Sequence, residues 1–229
     1  MKKIIVEICC SSIQSVEKAV EGKADRIELC QNLLVDGLSP SSELLEKATL
    51  ICNLPIHVLI RPRAGDFNYN DKEIEQIEKD IERVKKFPIQ GIVIGALDKE
   101  NYLALEHLRK WRNMCPDLNL TFHRAFDVVK DPEKAIAQLI ELKYDRILTS
   151  GQEAKAADGL KLLQKLNSKF LDKITIMPGG GINDVNVNEF LNSGFNEIHL
   201  SAKNKVTATD PIANLKIIQS VMSTASNYK

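Results

Sequence analysis

The sequence predicts a single-domain (β/α)8 barrel on three observations. Its 229 residues contain eight short apolar runs rich in Val and Ile, and segments with helical periodicity alternate with them. Strands that alternate with helices form parallel sheets with right-handed crossovers. Eight units of about 28 residues each fit the closed TIM-barrel architecture better than an open sheet. One barrel of roughly 200–250 residues is commonly a single domain, so residues 1–229 are expected to form one.

Each predicted strand is a short run of β-branched and other apolar residues bounded by polar or turn-forming residues. In chain order the runs are KIIVEIC near 3–9, DRIELC near 25–30, IHVLIR near 56–61, GIVIGA near 91–96, LNLTFHRAF near 118–126, DRILTSG near 145–151, KITIMPGGG near 173–181 and EIHLSA near 197–202. The loops at 31–41 and 61–71 are long for connections of this kind and indicate a rim or lid at the mouth of the barrel.

The segments between the strands carry apolar residues at i, i+3, i+4 and i+7, as in SIQSVEKAVEGKA and DKEIEQIEKDIERVKKF. Residues suited to helix N-caps precede the segments, and Pro follows three of them. These residues are Ser12, Ser39, Asp71, Asp131, Asn183 and Asp210. The last helix is expected over about 210–224.

Composition indicates a folded protein that does not bind polyanions. Lys and Arg number 31 and Asp and Glu number 31, so the formal net charge is zero, and neither nucleic acid nor a membrane is an expected partner. The opening MKKIIVEICC has too short and too charged an apolar run for a signal peptide or a membrane span. We therefore expect a cytoplasmic protein whose five cysteines are reduced thiols.

Period-2 alternation along the strands predicts a polar barrel interior. If the apolar residues of each strand face the helices, the alternate positions point inward. The inward polar and sulfur-containing residues are Glu7, Cys9, Arg26, Glu28, Cys30, His57, Arg61, Thr121, His123, Thr175, Met177, Glu197, His199 and Ser201. Purely structural barrels fill this space with Val, Ile and Leu, and buried charges are costly unless they are paired or used. The interior near the mouth is therefore the predicted functional site.

Glu7 and Glu28 are candidates for an acid and base pair. Two carboxylates on neighbouring strands roughly 5 Å apart raise the pKa of one of them, which suits proton transfer. His123 or His199 is a candidate to assist as acid or base. The structural alternative is that both carboxylates pair with Arg61 or Arg124 and fix the strand register without chemistry.

The triple glycine Gly179, Gly180 and Gly181 follows strand 7, where barrels often hold a phosphate or another anion. Ser201 lies beside it after strand 8, and Arg61 and Arg124 are candidates to orient the anion. A tight turn is the alternative explanation of the glycines.

Cys9 and Cys30 share inward parity on adjacent strands, so their thiols are expected to approach each other at the mouth. Two thiolates suit a soft ion such as Cu(I), with Met177 as a weaker third ligand. The alternative is that both cysteines pack as small buried hydrophobic residues.

Six segments together resemble the CutC family of copper homeostasis proteins, over about residues 1–205. They are ADRIELC at 24–30, HVLIRPRAGDFNY at 57–69, LTFHRAFDVVKDP at 120–132, DRILTSG at 145–151, MPGGGI at 177–182 and EIHLSA at 197–202. The resemblance implies a barrel linked to copper handling in the cytoplasm. It also implies that Cys9 and Cys30 occupy the positions of the two cysteines proposed to hold Cu(I).

Two hypotheses for the function result. In the first, the protein binds Cu(I) through Cys9 and Cys30 for copper homeostasis, with no organic cofactor. In the second, it is an enzyme that acts on a small phosphate- or carboxylate-bearing molecule by acid and base chemistry at the mouth. A scaffold that binds a partner on its surface has no positive sequence feature. Barrels of this kind commonly form symmetric homo-oligomers, so a dimer or tetramer is expected.

Overall fold

The computed structural model describes residues 3–203 and 211–228, and within them eight strands alternate with eight helices. The strands are β1 (Ile5–Cys10), β2 (Arg26–Leu29), β3 (Ile56–Leu59), β4 (Gly91–Val93), β5 (Asn119–Phe122), β6 (Arg146–Thr149), β7 (Thr175–Pro178) and β8 (Glu197–Leu200). The helices are α1 (Ile13–Glu21), α2 (Ser42–Ile51), α3 (Asp71–Val84), α4 (Leu105–Met114), α5 (Pro132–Glu141), α6 (Leu160–Phe170), α7 (Val187–Asn192) and α8 (Leu215–Asn227).

The eight strands form one sheet in the order β7-β6-β5-β4-β3-β2-β1-β8. All paired neighbours are parallel, and β1 pairs with both β2 and β8. A parallel bridge between Gly179, just after β7, and His199 of β8 joins the two ends of the sheet. The predicted (β/α)8 barrel is therefore confirmed.

The strand alternation separates an apolar layer that faces the helices from the barrel interior, as predicted. This layer lies between strands and helices and includes Val6, Ile8, Ile27, Leu29, Val58, Ile60, Leu120, Phe122, Ile176 and Ile198. A small cluster inside the barrel contains Cys9, Cys30, Leu59 and Val93. Buried polar side chains also occupy the interior, among them Glu7, Arg26, Glu28, His57, Thr121, His123, Arg146 and His199. The prediction of a polar interior is thus confirmed.

Two of the predicted helix starts are confirmed. The Ser12 hydroxyl accepts the Ser15 N–H at the start of α1, and the Asp131 carboxylate accepts the Lys134 N–H at the start of α5. The prediction that Ser39 is the N-cap of α2 is wrong, because its hydroxyl accepts the N–H of Arg61 instead. Ser41 caps α2 in its place.

The predicted starts of three further helices are displaced. Asn70, not Asp71, caps α3, and it forms a reciprocal capping box with Glu73. The Asn183 side chain closes a turn that precedes α7, and Asn186 precedes the helix directly. Asp210 lies outside the described residues, and α8 begins only at Leu215, after Asn214 as its N-cap.

The two long loops after β2 and β3 form an ordered rim that Arg61 holds together. Its guanidinium donates to the carbonyl oxygens of Val35 and Gly37 in the first loop, at 2.8 and 3.0 Å, and of Gly65 in the second, at 3.0 Å. A short 3-10 helix at Leu33–Val35 lies in the first loop.

None of the helices in the described ranges has the length and apolar character needed to cross a membrane.

Candidate functional site

A cavity of about 430 Å³ opens where the strands pass into the βα loops. Its walls include most of the predicted site residues, together with several residues that the sequence analysis did not place there. The polar and glycine lining consists of Cys9, Glu28, Asp36, Arg61, Gly65, His123, Arg124, Asp127, Gly180, Gly181, His199, Ser201 and Lys203. Glu7, Cys30 and Gly179 do not line the cavity and lie behind its wall.

The thiols of Cys9 and Cys30 lie side by side, with Cys9 at the cavity wall and Cys30 behind it. Their Sγ atoms are 3.6 Å apart, and both side chains are buried. The Cys9 thiol also donates to Glu28 Oε2 at 3.2 Å. The hydrogen bond with Cys30, together with burial, raises the pKa of the Cys9 thiol well above its usual value. Cys9 is therefore a protonated thiol at neutral pH, with a carboxylate beside it as proton acceptor.

His199 brings an imidazole to the same place. Its Nδ1 atom is 2.8 Å from Glu7 Oε1, and its Nε2 atom is 3.8 Å from Glu28 Oε2. Burial disfavours the charged ring, but Glu28, the hydrogen bond with Cys9, and Glu7 raise the pKa of His199 well above its usual value. Ligand atoms of Cys9, Glu28 and His199 all lie within 4.8 Å of one another.

Glu7 is fully buried and forms its ion pair with Arg26, whose Nε donates to Glu7 Oε2. Burial opposes ionisation, yet Arg26 and His199 hold the pKa of Glu7 well below its usual range. The alternative in which Arg61 or Arg124 neutralises the carboxylates is therefore wrong. Glu7 and Arg26 are direct partners in the register of β1 and β2, so the guanidinium on the adjacent strand reaches the carboxylate first.

The Arg26 guanidinium extends the ion-pair network deeper into the barrel. Its Nη2 atom donates to Glu197 Oε2 at 2.6 Å and contacts Met177 Sδ at 3.3 Å. Arg146 Nε donates to the same Glu197 oxygen at 3.1 Å. The Met177 sulfur thus faces a guanidinium, and the donor atom that lies near Cys9 and Glu28 belongs to His199 instead.

The two arginines predicted to bind an anion differ in their charge partners. Arg124 Nε donates to Asp127 Oδ2 at 2.7 Å, and its Nη2 donates to Ser150 Oγ at 2.9 Å. Arg61 is buried at 5% exposure and donates to backbone carbonyl oxygens. Within the described ranges no carboxylate lies within ion-pair distance of Arg61. Arg61 is therefore the cavity arginine whose charge is not neutralised.

His123 follows β5 and lines the cavity at 4% exposure. Its Nδ1 atom accepts the N–H of Ala125 at 3.1 Å. Burial, reinforced by the charge of Arg61, lowers the pKa of His123 to about 3. The ring is therefore neutral at physiological pH, which is a poor starting state for a general acid.

The three glycines after β7 are not equivalent. The Gly179 N–H already donates to the Thr149 carbonyl oxygen, so it is not available to an anion. Gly180 and Gly181 have φ values of +106° and +81°, which favour glycine, and both line the cavity beside Ser201. Because α7 begins only at Val187, these two glycines do not stand at a helix N-terminus.

Sequence reasoning missed the roles of Arg26 and Asp127. Arg26 was available from the pattern, since it has the same inward parity as Glu7 on the adjacent strand. Asp127 was not: its carboxylate accepts from Thr149 Oγ1, Ser150 N and Arg124 Nε, and that position depends on the 3-10 turn Arg124–Val128. No periodicity in the sequence specifies that turn.

Comparison with known proteins identifies the family. The model of the CutC family matches residues 4–204. A copper homeostasis protein cutC homolog from Homo sapiens is 38% identical over 225 residues, which cover 98% of this chain and 82% of the human protein. A family protein CutC from Pasteurella multocida is 43% identical over 199 residues, covering 86% of this chain and 82% of that protein.

Solved structures agree with this assignment. A structure from Streptococcus agalactiae, described as a copper homeostasis protein CutC, has a TM-score of 0.82 and 30% identity, and covers 86% of this chain and 98% of that one. The phosphoribosylanthranilate isomerase of Pyrococcus furiosus, at a TM-score of 0.60 and 18% identity, covers 98% of this chain and 99% of that one, and shares the fold alone. On the family model and these relatives together, the chain belongs to the CutC family.

Proposed function

We propose that this protein binds Cu(I) at the mouth of its barrel and serves copper homeostasis in the cytoplasm, by buffering the ion or passing it on. The observation that carries the proposal is the pair of thiols, Cys9 and Cys30, whose sulfur atoms are 3.6 Å apart and of which Cys9 lines the cavity. Thiolates are the ligands that select Cu(I). Relatives over most of the chain length are named as copper homeostasis proteins, which supports the same function.

The spacing of the sulfur atoms favours a third ligand. At a metal–thiolate distance of about 2.3 Å, as in zinc sites, sulfurs this far apart subtend roughly 100° at the ion, which is bent rather than linear. His199 is suited to the third place because its Nδ1 atom is held by Glu7 at 2.8 Å, which leaves Nε2 for the ion. A carboxylate on the second ring nitrogen is the usual partner of a metal-bound histidine.

Glu28 has a separate part in this proposal. Its carboxylate accepts a hydrogen bond from the Cys9 thiol at 3.2 Å, and a thiol must lose its proton before it binds a metal. The Cys30 thiol proton and the Nε2 proton of the His199 imidazolium must leave as well, and both are released to solvent when the ion binds. Carboxylates suit hard ions and imidazole or thiolate suits copper, so Glu28 is expected to receive the Cys9 proton without being a Cu(I) ligand.

A Cu(I) titration of the reduced protein against a competing chelator tests the proposal. We expect a Kd below about 1 nM for the wild type and a loss of at least about 100-fold in Cys9→Ser/Cys30→Ser, whereas Glu28→Gln keeps most of the affinity. Cys10→Ser is the matched control, because Cys10 is a buried thiol of the same strand that faces the helices. Equal affinity of wild type and double variant would overturn the proposal.

A second candidate function is acid and base catalysis on a small anionic molecule in the same cavity. It is favoured by Glu28, which lines the cavity and whose pKa burial raises. A carboxyl group with a raised pKa beside the His199 imidazolium is able to exchange protons with a bound molecule. Glu7 lies behind the wall, so its proposed part is to orient His199. The proposed substrate contacts come from four residues that line the cavity, Arg124, Gly180, Gly181 and Ser201.

A screen of phosphate- and carboxylate-bearing metabolites for thermal stabilisation tests this second function. A molecule that raises the Tm and is then chemically converted by the wild type, but is only bound by Glu28→Gln, would support it. If every stabilising molecule is recovered unchanged from the wild type, the catalytic role of Glu28 is contradicted, while the copper proposal is unaffected.

A further inference from the structure

The cavity wall contains a buried histidine donor that the protein does not use. Because His123 Nδ1 accepts the Ala125 N–H, the proton of the neutral ring resides on Nε2. Gly95 packs against the Cε1–Nδ1 edge of the ring, so closely that a Cβ there would be 2.8 Å from His123 Cε1. Within the described ranges Nε2 is buried and has no hydrogen-bond partner. A buried donor left without an acceptor is costly, and an acceptor on a ligand would recover that cost.

Arg61 is the second underused donor on the same wall. Three carbonyl oxygens accept from its two Nη atoms, while Nε is buried and has no partner within the described part of the chain. The buried Tyr69 hydroxyl lies close to the guanidinium and interacts with it, but it carries no charge that would balance Arg61. Phe67 connects the two donors, since its ring is 5.1 Å from Arg61 Cζ and 4.9 Å from the centre of the His123 ring.

The charges of the interior leave Arg61 without a counter-ion. Three cations and three carboxylates of the interior balance one another. Arg26 pairs with Glu7 and Glu197, and Arg146 pairs with Glu197. His199 pairs with Glu7 and Glu28. At the cavity wall, Asp127 matches Arg124. The two other charged side chains of the wall, Asp36 and Lys203, form no ion pair with any described residue. Burying an unpaired charge is costly, so a buried guanidinium that lines a cavity and has no carboxylate partner favours an anion in that cavity.

We infer that Arg61 and His123 form a binding site for the carboxylate or phosphate group of a small organic acid, with the guanidinium supplying charge and His123 Nε2–H supplying a hydrogen bond. His123 is thus a binding residue, not the proton-transfer group suggested by the sequence. The inference rests on the second proposed function in that it names the substrate class, but it requires no turnover and no Cu(I) at Cys9 and Cys30.

Calorimetric titration of the metal-free, reduced protein with inorganic phosphate and, separately, with malonate tests this site. His123→Asn is the cleaner variant, because the Asn Oδ1 atom can still accept the Ala125 N–H while the Nε2 donor is lost. Arg61→Gln removes the charge, and hydrogen exchange of loops 31–41 and 61–71 reports whether the rim remains ordered. Arg109→Gln, an exposed arginine on α4, controls for net charge, and Cys9→Ser/Cys30→Ser controls for the copper site.

We expect at least one probe to bind the wild type and both controls, with affinity at least about tenfold weaker in Arg61→Gln and about three- to tenfold weaker in His123→Asn. Binding of phosphate alone would assign a phosphate ester, and binding of malonate alone a carboxylic acid. Two results would overturn the inference. The first is that neither probe binds the wild type at 20 mM, which is about the upper limit for a specific anion site. The second is that the wild type and His123→Asn bind a probe with equal affinity. Because only binding is measured, neither result bears on whether a bound molecule is converted.

Discussion

At the scale of single residues, the interior depends on charges that are paired across strands. Glu7 is the clearest example, since Arg26 and His199 both contact its carboxylate and no part of it is exposed. Removing one member of a buried pair leaves the other charge uncompensated, which is far more costly than losing an exposed pair.

Glu7→Gln is therefore expected to lower the free energy of unfolding by about 3 kcal/mol. Glu43→Gln is the matched control, because Glu43 forms an exposed i,i+4 pair with Lys47 on α2, and it should change stability by less than about 1 kcal/mol. Urea denaturation followed by circular dichroism measures both. Similar values for the two variants would show that the interior network does not stabilise the fold.

The sequence predicted which residues face the interior but not how they pair. Parity alone placed Glu7, Cys9, Glu28, Cys30 and His199 inside, and the structure confirms this. The ion pairs depend on the register between neighbouring strands and on the length of each side chain, and the alternation of inward and outward residues predicts neither. The proposed metal ligands Cys9 and Cys30 remain a prediction, now supported by a sulfur separation of 3.6 Å.

At the scale of elements, β4 makes room for a histidine ring that its neighbour β3 directs inward. Gly91 is the register partner of His57, and a Cβ at Gly91 would be 2.6 Å from the His57 ring and 2.9 Å from the Asn119 carbonyl oxygen. The backbone of a buried strand cannot move away freely, because its neighbours hold it on both sides.

Gly91→Ala is expected to cost about 1–3 kcal/mol of stability through overpacking. Gly194→Ala tests the cost of backbone strain alone, since Gly194 has a φ of +79° but nothing lies within 4 Å of an added Cβ. About 1 kcal/mol is expected for that strain. Thermal unfolding of both variants makes the comparison. A Tm of Gly91→Ala equal to that of the wild type would contradict the close packing of β4 on His57.

Element boundaries were less predictable than the elements themselves. Ser39 and Asp71 have the right chemistry for N-caps, but Ser41 and Asn70 hold the helix ends. The Ser39 hydroxyl is used by Arg61 of the adjacent strand, a contact that local sequence does not contain.

At the scale of the whole molecule, the eightfold alternation of strands and helices was sufficient to predict the barrel. Its stability is coupled to pH through two buried histidines. Burial lowers the pKa of His57 and of His123 to about 3, whereas histidine in an unfolded chain has a pKa of about 6.5. Between these values the two histidines bind more protons in the unfolded chain than in the folded chain, so the stability that they contribute is fully present above about pH 6.5 and falls as the pH decreases toward 3.

His123→Asn is accordingly expected to flatten the acid limb of the stability curve. Each neutral buried histidine contributes a slope of up to about 1.4 kcal/mol per pH unit in this window. Urea midpoints measured between pH 7.5 and pH 4.5 for wild type, His123→Asn and the helix-surface variant His107→Asn give the slopes. Parallel curves for wild type and His123→Asn would mean that His123 is not held neutral by the fold.

The central functional claim concerns the atoms that would surround a copper ion. X-ray absorption at the copper edge, on the reduced protein loaded with one equivalent of Cu(I), determines the ligand types directly. Two sulfur scatterers and one imidazole nitrogen are predicted, with both sulfurs lost in Cys9→Ser/Cys30→Ser and the nitrogen lost in His199→Ala. A first shell of nitrogen and oxygen only, or a spectrum unchanged in the double cysteine variant, would contradict the claim that this cavity binds Cu(I).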